Sequence, residues 1–323
     1  MNNSENLKII LNDPKIKNVF IFPHNMPDGD TLGSAIGVYH LVQNFDKRGY
    51  IVLNDDIPSN LSFLLCEGVR IYKSSEVKTV DVDVSISVDC GETKLFEDRI
   101  PLFQKAKHTF NIDHHLTNSN YADNNYVNHE ASSTGEMIYL IYEELQVKLN
   151  SDAARAIYAA IVTDTGSFRY SNTRPLTFKV CEHLIEHDFD FNRLNVELFQ
   201  SKSLEKLQLL NHVFSTLHLY FDGKCAVVRL TDEMMNNLKL SEYDTDGIVE
   251  FVRDIQGVEV VIFMRHLKDC AYKISMRSKN DVDVSAIAQK FKGGGHKKAA
   301  GFKIEMPYEQ IEKLVVEAIE EAI

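Results

Sequence analysis

Along the first half of the chain, short apolar runs alternate with longer segments of helical period. Val19-Phe-Ile-Phe-Pro-His24 reads as a buried strand, followed by a loop and a helix over about 31–48. Tyr50-Ile-Val-Leu-Asn54 is a second strand. Val84-Ser-Ile-Ser-Val-Asp89 and Thr109-Phe-Asn-Ile-Asp113 are two more, each ending in aspartate. Helical patterns occupy 133–147 and 152–163. Strand–helix alternation of this kind predicts an α/β domain, a mostly parallel sheet flanked by helices. In such sheets ligands bind at the carboxyl ends of the strands, which is where Asp and His accumulate here.

A helical stretch over about 203–219 is expected to link this half to the next. Beyond it, strands fit Cys225-Ala-Val-Val-Arg-Leu230, Val258-Glu-Val-Val-Ile-Phe-Met264 and Ala271-Tyr-Lys-Ile-Ser-Met276, and helices fit 245–254, 284–291 and 308–323. This is the pattern of a smaller mixed α/β domain. The expected division is a first domain over 1–190, a helical linker over 191–220 and a second domain over 221–323.

At 323 residues the chain has the length of about two ordinary domains. Its net charge of −12 argues against coating long nucleic acids, since counterion release needs a broad cationic face, but permits a short anionic ligand in one cleft. The charge is unevenly spread: between Gln256 and Lys303 ten Lys/Arg oppose four acids, a local +6, leaving −18 elsewhere. The five cysteines are scattered without CxxC spacing, which suits reduced thiols in a cytoplasm. The longest apolar stretch, 156–162, is far short of a membrane span, and the first residues lack the basic-then-apolar order of a signal peptide. A cytoplasmic protein without membrane contact is the expectation.

The chemistry concentrates after the first strand, in His24-Asn-Met-Pro-Asp28-Gly-Asp30-Thr-Leu-Gly-Ser34. Turn formation alone would account for Pro-Asp-Gly-Asp, with Thr31 or Asp30 capping the next helix. It would not account for further carboxylates at the same sheet edge. Asp89 and Asp113 end apolar strands, where a desolvated carboxylate is costly unless paired or metal-bound. His114 and His115 follow Asp113, and Asp164 ends an apolar helix. Oxygen-rich ligands with imidazole and no thiolate suit Mn²⁺, or Mg²⁺, better than structural zinc. Six ligands (His24, Asp28, Asp30, Asp89, His114, Asp164) exceed what one open ion needs, so two are expected. Asp81-Val-Asp83 reads as a solvated strand edge.

In order, these motifs are similar to those of the DHH phosphoesterase family: His24-x-x-Pro-Asp28-Gly-Asp30-x-x-Gly-Ser34, Val88-Asp89, Ile112-Asp113-His114-His115, and Thr163-Asp164-Thr-Gly-Ser-Phe-Arg169. The distal Gly293-Gly-Gly-His296-Lys-Lys-Ala-Ala-Gly301 resembles the signature of the DHH-associated C-terminal domain. The resemblance implies one divalent ion on His24, Asp28 and Asp89, and a second on Asp30, Asp89, His114 and Asp164, with Asp89 bridging. It implies that Asp113 orients a neighbouring imidazole and that His115 faces the substrate phosphate. It also implies a substrate-holding loop of Gly294, Gly295 and His296, with Arg277 as a phosphate partner. Length and tail look most like the nano-RNases that also dephosphorylate 3′-phosphoadenosine 5′-phosphate. The implied substrates are therefore short oligoribonucleotides, linear dinucleotides and that bisphosphate. Cyclic di-AMP phosphodiesterase is the nearest alternative; a pyrophosphatase or exopolyphosphatase and a silent nucleotide-binding regulator stand further off. Relatives are commonly homodimers, though no interface is legible. Lys94 stands where relatives often have an arginine nearby, and His296-Lys-Lys where many have smaller residues, so substrate choice is where the pattern departs.

Overall fold

A computed structural model describes residues 3–238, 245 and 247–323. The chain divides into two compact units, Met1–Ser201 and Lys202–Ile323.

The first unit runs α1 (Asn3–Asn12), β1 (Asn18–Phe22), α2 (Gly29–Gln43), β2 (Arg48–Val52), a 3₁₀ turn (Ser59–Leu64), β3 (Ile71–Tyr72) and β4 (Val84–Val88). It continues with a second 3₁₀ segment (Thr93–Arg99), α3 (Ile100–Phe103), β5 (His108–Asp113), β6 (Asn124–Val127), α4 (Thr134–Leu145), α5 (Ser151–Asp164), α6 (Pro175–Ile185) and α7 (Phe191–Phe199). Its sheet has the order β3-β2-β1-β4-β5-β6, with every neighbouring pair parallel. The order reverses between β1 and β4, the crevice where doubly wound sheets bind ligands.

At its centre both faces of this sheet are buried, which is why β1 is apolar from Val19 to Phe22, while β4 and β5 also bury the polar Ser85, Ser87 and Asn111. Val19 and Ile21 of β1 join a core with α1, α2, α4 and α5, while Phe20 and Phe22 join a second core with Phe96, Leu102 and Phe103. α2 and α5 pack so closely that a Cβ at Gly33 would lie 2.3 Å from the Ala156 carbonyl oxygen.

The helix expected over 31–48 ends at Gln43. Asp46 turns left-handed (φ 55°), and Arg48 opens β2 in register with Asn18, so strand pairing takes over where the helix was extrapolated. Asp83 is not solvated: its carboxylate is buried and accepts the Lys17 and Asn18 amides at 2.9 and 3.1 Å.

The second unit runs α8 (Leu204–Phe214), β7 (His218–Tyr220), β8 (Cys225–Leu230), α9 (Asp232–Leu238), α10 (Ile248–Arg253), β9 (Val260–Lys268), β10 (Ala271–Ser278), α11 (Val284–Lys290), β11 (Gly294–His296), β12 (Ala299–Glu305) and α12 (Tyr308–Glu320). Its sheet order is β11-β12-β10-β9-β8-β7, with β8–β9 parallel and the other pairs antiparallel. Alternate residues again serve two cores: Cys225 and Val227 face Ile311 and Val315 of α12, whereas Ala226 and Val228 face Leu209 of α8 and Ile248 of α10.

The segment expected to link the units carries α7, whose Leu194 belongs to the first unit's core, and α8, whose Leu209 belongs to the second's. Leu219, expected at the end of a helix, lies in β7. Of the helix expected over 245–254, Ile248–Arg253 is helical and 246 lies outside the described residues. The glycine segment expected as a loop is a hairpin: Gly294, Gly295 and His296 pair with Gly301, Ala300 and Ala299. Small residues are needed there because a Cβ at Gly295 (φ 141°) would lie 2.4 Å from the Ala299 carbonyl oxygen.

Candidate active site

The carboxyl ends of β1, β4 and β5 deliver His24, Asp89 and Asp113-His114-His115 to one crevice. The start of α2 adds Asp28 and Asp30, and the end of α5 adds Asp164. These eight residues, all anticipated from the sequence, come together around Asp89. Its backbone is left-handed (φ 58°), a conformation Asp tolerates better than most residues, and its side chain is 4 % exposed.

The two carboxylate oxygens of Asp89 face different partners. Oδ2 lies 3.6 Å from His24 Nε2, which is 3.8 Å from Asp28 Oδ1. Oδ1 lies 3.7 Å from His114 Nε2, which is 3.8 Å from Asp164 Oδ2 and 3.9 Å from Asp30 Oδ2. In both imidazoles the other nitrogen meets a main-chain carbonyl: His24 Nδ1 that of Asn25 at 2.7 Å, His114 Nδ1 that of Ala131 at 3.4 Å. A proton on Nδ1 leaves the Nε2 lone pair facing the carboxylates, the arrangement of metal-ligating histidines. Spacings of this size are too long for hydrogen bonds and suit donors sharing a cation about 2.1 Å from each.

The electrostatics agree. Burial lifts the Asp30 carboxyl well above its usual range, and the charges of Asp89, Asp164 and Asp28 lift it further, against the Thr134 amide. Burial also raises Asp164, with help from Asp89 and Asp28 and against His114 and His115, to about 6. For Asp89, burial is outweighed by His24, His115 and His114 and by the Thr31 hydroxyl, which hold it below its ordinary value. A crevice whose carboxylates repel each other this way is one that cations relieve. The donor set, oxygen and imidazole without thiolate, fits two hard divalent ions with Asp89 shared.

Asp113 and His115 stand beside these groups. Asp113 is fully buried and accepts a hydrogen bond from His115 Nδ1 at 2.7 Å. Burial disfavours the imidazolium, but that bond and the carboxylates of Asp89, Asp113 and Asp164 outweigh it and push the His115 pKa up to about 9. The imidazole that Asp113 orients is thus His115.

Several supporting roles were not anticipated; Thr31, weighed with Asp30 as the cap of α2, instead gives its amide to the cap, Asp28, at 2.9 Å. The hydroxyls of Thr31 and Thr134 donate to Asp89 at 2.6 and 3.0 Å, and the amides of Thr134 and Gly135 at the start of α4 donate to Asp30 at 2.8 and 2.9 Å. A Cβ at Gly135 would lie 2.5 Å from that of Ala160. The small, hydroxyl-rich Ser132-Ser133-Thr134-Gly135 was the available signal. Asn172 donates to Asp164 at 3.0 Å, and Asn118 to Asp113. Arg99, fully buried, donates to the Val52 carbonyl and to Asn25 Oδ1, fixing the turn that carries His24. These residues have no spacing relation to the motifs they serve.

In the second unit, Arg277 is half-buried on β10 with its Nε 3.6 Å from Glu250 Oε1. In backbone register Arg277 opposes Ala299, which opposes His296. Gly294 is exposed, with nothing within 4 Å of a Cβ built on it. The side chain of His296 lies outside the described residues.

Comparison with known proteins agrees with this geometry. The N-terminal domain model of the DHH family matches residues 18–161, and the DHHA1 domain model matches 222–323. The chain belongs to the DHH family. It is 31 % identical, over 88 % of both chains, to the probable bifunctional oligoribonuclease and PAP phosphatase NrnA of Streptococcus mutans. It is 29 % identical to the bifunctional oligoribonuclease and PAP phosphatase NrnA of Thermus thermophilus, over 94 % of this chain and 90 % of that one. Among solved structures, an exopolyphosphatase-related protein of Bacteroides fragilis shares the fold, with a TM-score of 0.90 at 23 % identity, covering 99 % of this chain and 96 % of that one.

Proposed function

We propose that the chain is a phosphodiesterase and phosphatase using two divalent ions, Mn²⁺ by preference. Its substrates in this reading are short oligoribonucleotides or linear dinucleotides, cleaved to nucleoside monophosphates, and 3′-phosphoadenosine 5′-phosphate, cleaved to AMP and phosphate. The observation that carries the reading is the splitting of the two Asp89 oxygens between a His24–Asp28 group and a His114–Asp30–Asp164 group. The names of the relatives, matched over most of their length, support the substrate class.

His24, Asp28 and Asp89 would hold one ion, and Asp30, Asp89, His114 and Asp164 the other. When bound, such ions supply Lewis acidity toward phosphoryl oxygens and make water a nucleophile at neutral pH. Asp113, outside both ligand sets, keeps its hydrogen bond to His115 Nδ1 and so favours the protonated imidazole. With Nδ1 engaged, its Nε2–H is the donor for a phosphoryl oxygen or the leaving oxygen as the bond to phosphorus breaks. The buried amides of Thr134 and Gly135 fix Asp30 so that the ligand geometry does not depend on substrate. Gly294, Gly295, His296 and Arg277 are assigned to holding substrate, Arg277 exchanging Glu250 for a phosphate. Among the described residues no helix is long and apolar enough to cross a membrane. A cytoplasmic location, on the scattered thiols and short apolar stretches, and a homodimer, on the resemblance, belong to the reading.

A panel of manganese-dependent assays on pApA, 3′-phosphoadenosine 5′-phosphate, cyclic di-AMP and pyrophosphate tests it. Turnover of the first two is expected. Turnover confined to cyclic di-AMP or pyrophosphate overturns the substrate assignment, and no turnover of any overturns the enzyme.

A further inference from the structure

At the far end of the α2–α5 pair, His40, Cys66 and Asp152 come together from three separate segments. α2 begins and α5 ends at the crevice described above, so His40 lies about 15 Å along α2 from Asp30 at 1.5 Å per residue. The ligating atoms of the three side chains fall within 4.8 Å of one another. Cys66 Sγ is 3.6 Å from His40 Nε2. A thiolate at about 2.3 Å and an imidazole at about 2.05 Å from one tetrahedral zinc ion stand about 3.6 Å apart.

The surroundings suit a ligand set. His40 is buried, and its Nδ1 lies 3.2 Å from Gln43 Oε1, which accepts from the tautomer protonated on Nδ1, the one that leaves the lone pair of Nε2 toward the sulfur. Asn150 Nδ2, also at 3.2 Å, is the competing donor to Nδ1. Cys66 and Asp152 are half-exposed, which gives an ion its way in. Arg155 holds the preceding turn through the Phe63 and Leu64 carbonyls.

Simpler roles cover the parts separately. Asp152 in the first turn of α5 favours the helix dipole, and a thiol can donate to an imidazole. Neither explains why all three converge. A nucleophilic cysteine is disfavoured, because burial holds the Cys66 thiol above and the His40 imidazole below their ordinary values, and the pair rests neutral.

We propose that His40 Nε2, Cys66 Sγ and an Asp152 carboxylate oxygen form a Zn²⁺ site, its fourth position open to water, that ties the end of α2 to the start of α5. On binding, the Cys66 thiol gives its proton to solvent and His40 keeps the one on Nδ1. Sulfur in the donor set separates this site from the catalytic crevice, which has none.

Cobalt separates the two sites experimentally, because only thiolate ligation gives a sulfur-to-cobalt charge-transfer band in the near ultraviolet. Metal-free full-length protein titrated with Co²⁺ is expected to develop the band. It should be retained in Cys90→Ser and in Asp89→Asn and lost in Cys66→Ser, whose far-ultraviolet circular dichroism checks the fold. Should Cys66→Ser not fold, Asp152→Asn serves instead, with Co²⁺ affinity at the band expected to fall at least about tenfold. Absence of the band in the wild type at saturating Co²⁺, its persistence in Cys66→Ser, or unchanged affinity in Asp152→Asn overturns the proposal.

Discussion

In the first unit, Asp30, Asp89 and Asp113 are almost wholly removed from water, and hydroxyls, amides and imidazoles surround them; the carboxylates outnumber the cationic groups. The second unit handles its charges differently. Arg277 stands against Glu250, His218 against Glu312 and His266 against Asp232, while Lys292, Lys297, Lys298 and Lys303 are exposed. One unit has collected negative charge that its own residues leave uncompensated; the other has paired its charges and left a basic surface around a hairpin. The contrast shows that total charge says little about function here, whereas the burial of unmatched charge says a great deal. Unmatched buried carboxylates cost stability and persist where a bound cation offsets them.

The sharpest way to break this contrast is to remove the shared carboxylate. Asp89→Asn, preferred to Ala because Asn also tolerates the left-handed backbone, should lower hydrolysis of pApA at least ~10³-fold. It should also abolish the rise in melting temperature that Mn²⁺ gives the wild type. Glu250→Gln in the second unit should leave that rise intact. Retained manganese stabilisation in Asp89→Asn would sink the idea that the first unit is built around cations.

Asp113→Asn should be next in size, with kcat down about 10²-fold and Mn²⁺ binding retained. The Asp113 hydrogen bond raises the His115 pKa, so His115 is a proton donor below its pKa and loses the role as pH rises through it. Weakening the Asp113 hydrogen bond lowers this pKa, so the alkaline limb of the pH–rate profile should move to lower pH. A limb that stays in place would remove His115 from the reaction.

For the second unit, His296→Ala should raise KM for pApA about tenfold while leaving bis-p-nitrophenyl phosphate, which has no distal phosphate, nearly unchanged. Equal losses on both substrates would end the separation of holding from chemistry.

The smallest effect belongs to a buried carboxylate that does have its partners. Burial opposes the charge of Asp83, but the Lys17 and Asn18 amides and Lys107 outweigh it and hold the carboxyl below its ordinary value. Its folded pKa is therefore below the unfolded one near 3.9. Its contribution is present above that pH and disappears as pH falls through the folded value. Asp83→Asn should cost about 1–2 kcal/mol at pH 7 in denaturant unfolding, and less below about pH 4. A cost that does not shrink in acid would show that packing, not charge, is what the substitution disturbs.

The sequence by itself determined the alternating architecture, because strands buried on both faces are rich in apolar residues and the helices between them repeat every 3.6 residues. It also determined the eight residues of the crevice, since a parallel sheet brings the ends of its strands to one edge and leaves little choice of where terminal Asp and His residues go. Tertiary structure alone decided what depends on contacts without fixed spacing. That Asp89 divides its oxygens between two groups follows from its left-handed turn and from Thr31 and Thr134. That Asp113 serves His115 rather than His114 follows from side-chain directions no motif encodes. That His40 and Asp152 meet follows from the antiparallel packing of α2 and α5, and that Cys66 joins them follows from the 3₁₀ turn before it, whose Phe63 and Leu64 carbonyls Arg155 of α5 holds. Local pattern is set by burial and period, both readable one residue at a time, whereas a hydrogen bond or a ligand set is a distance between atoms, and distances exist only once the chain has folded.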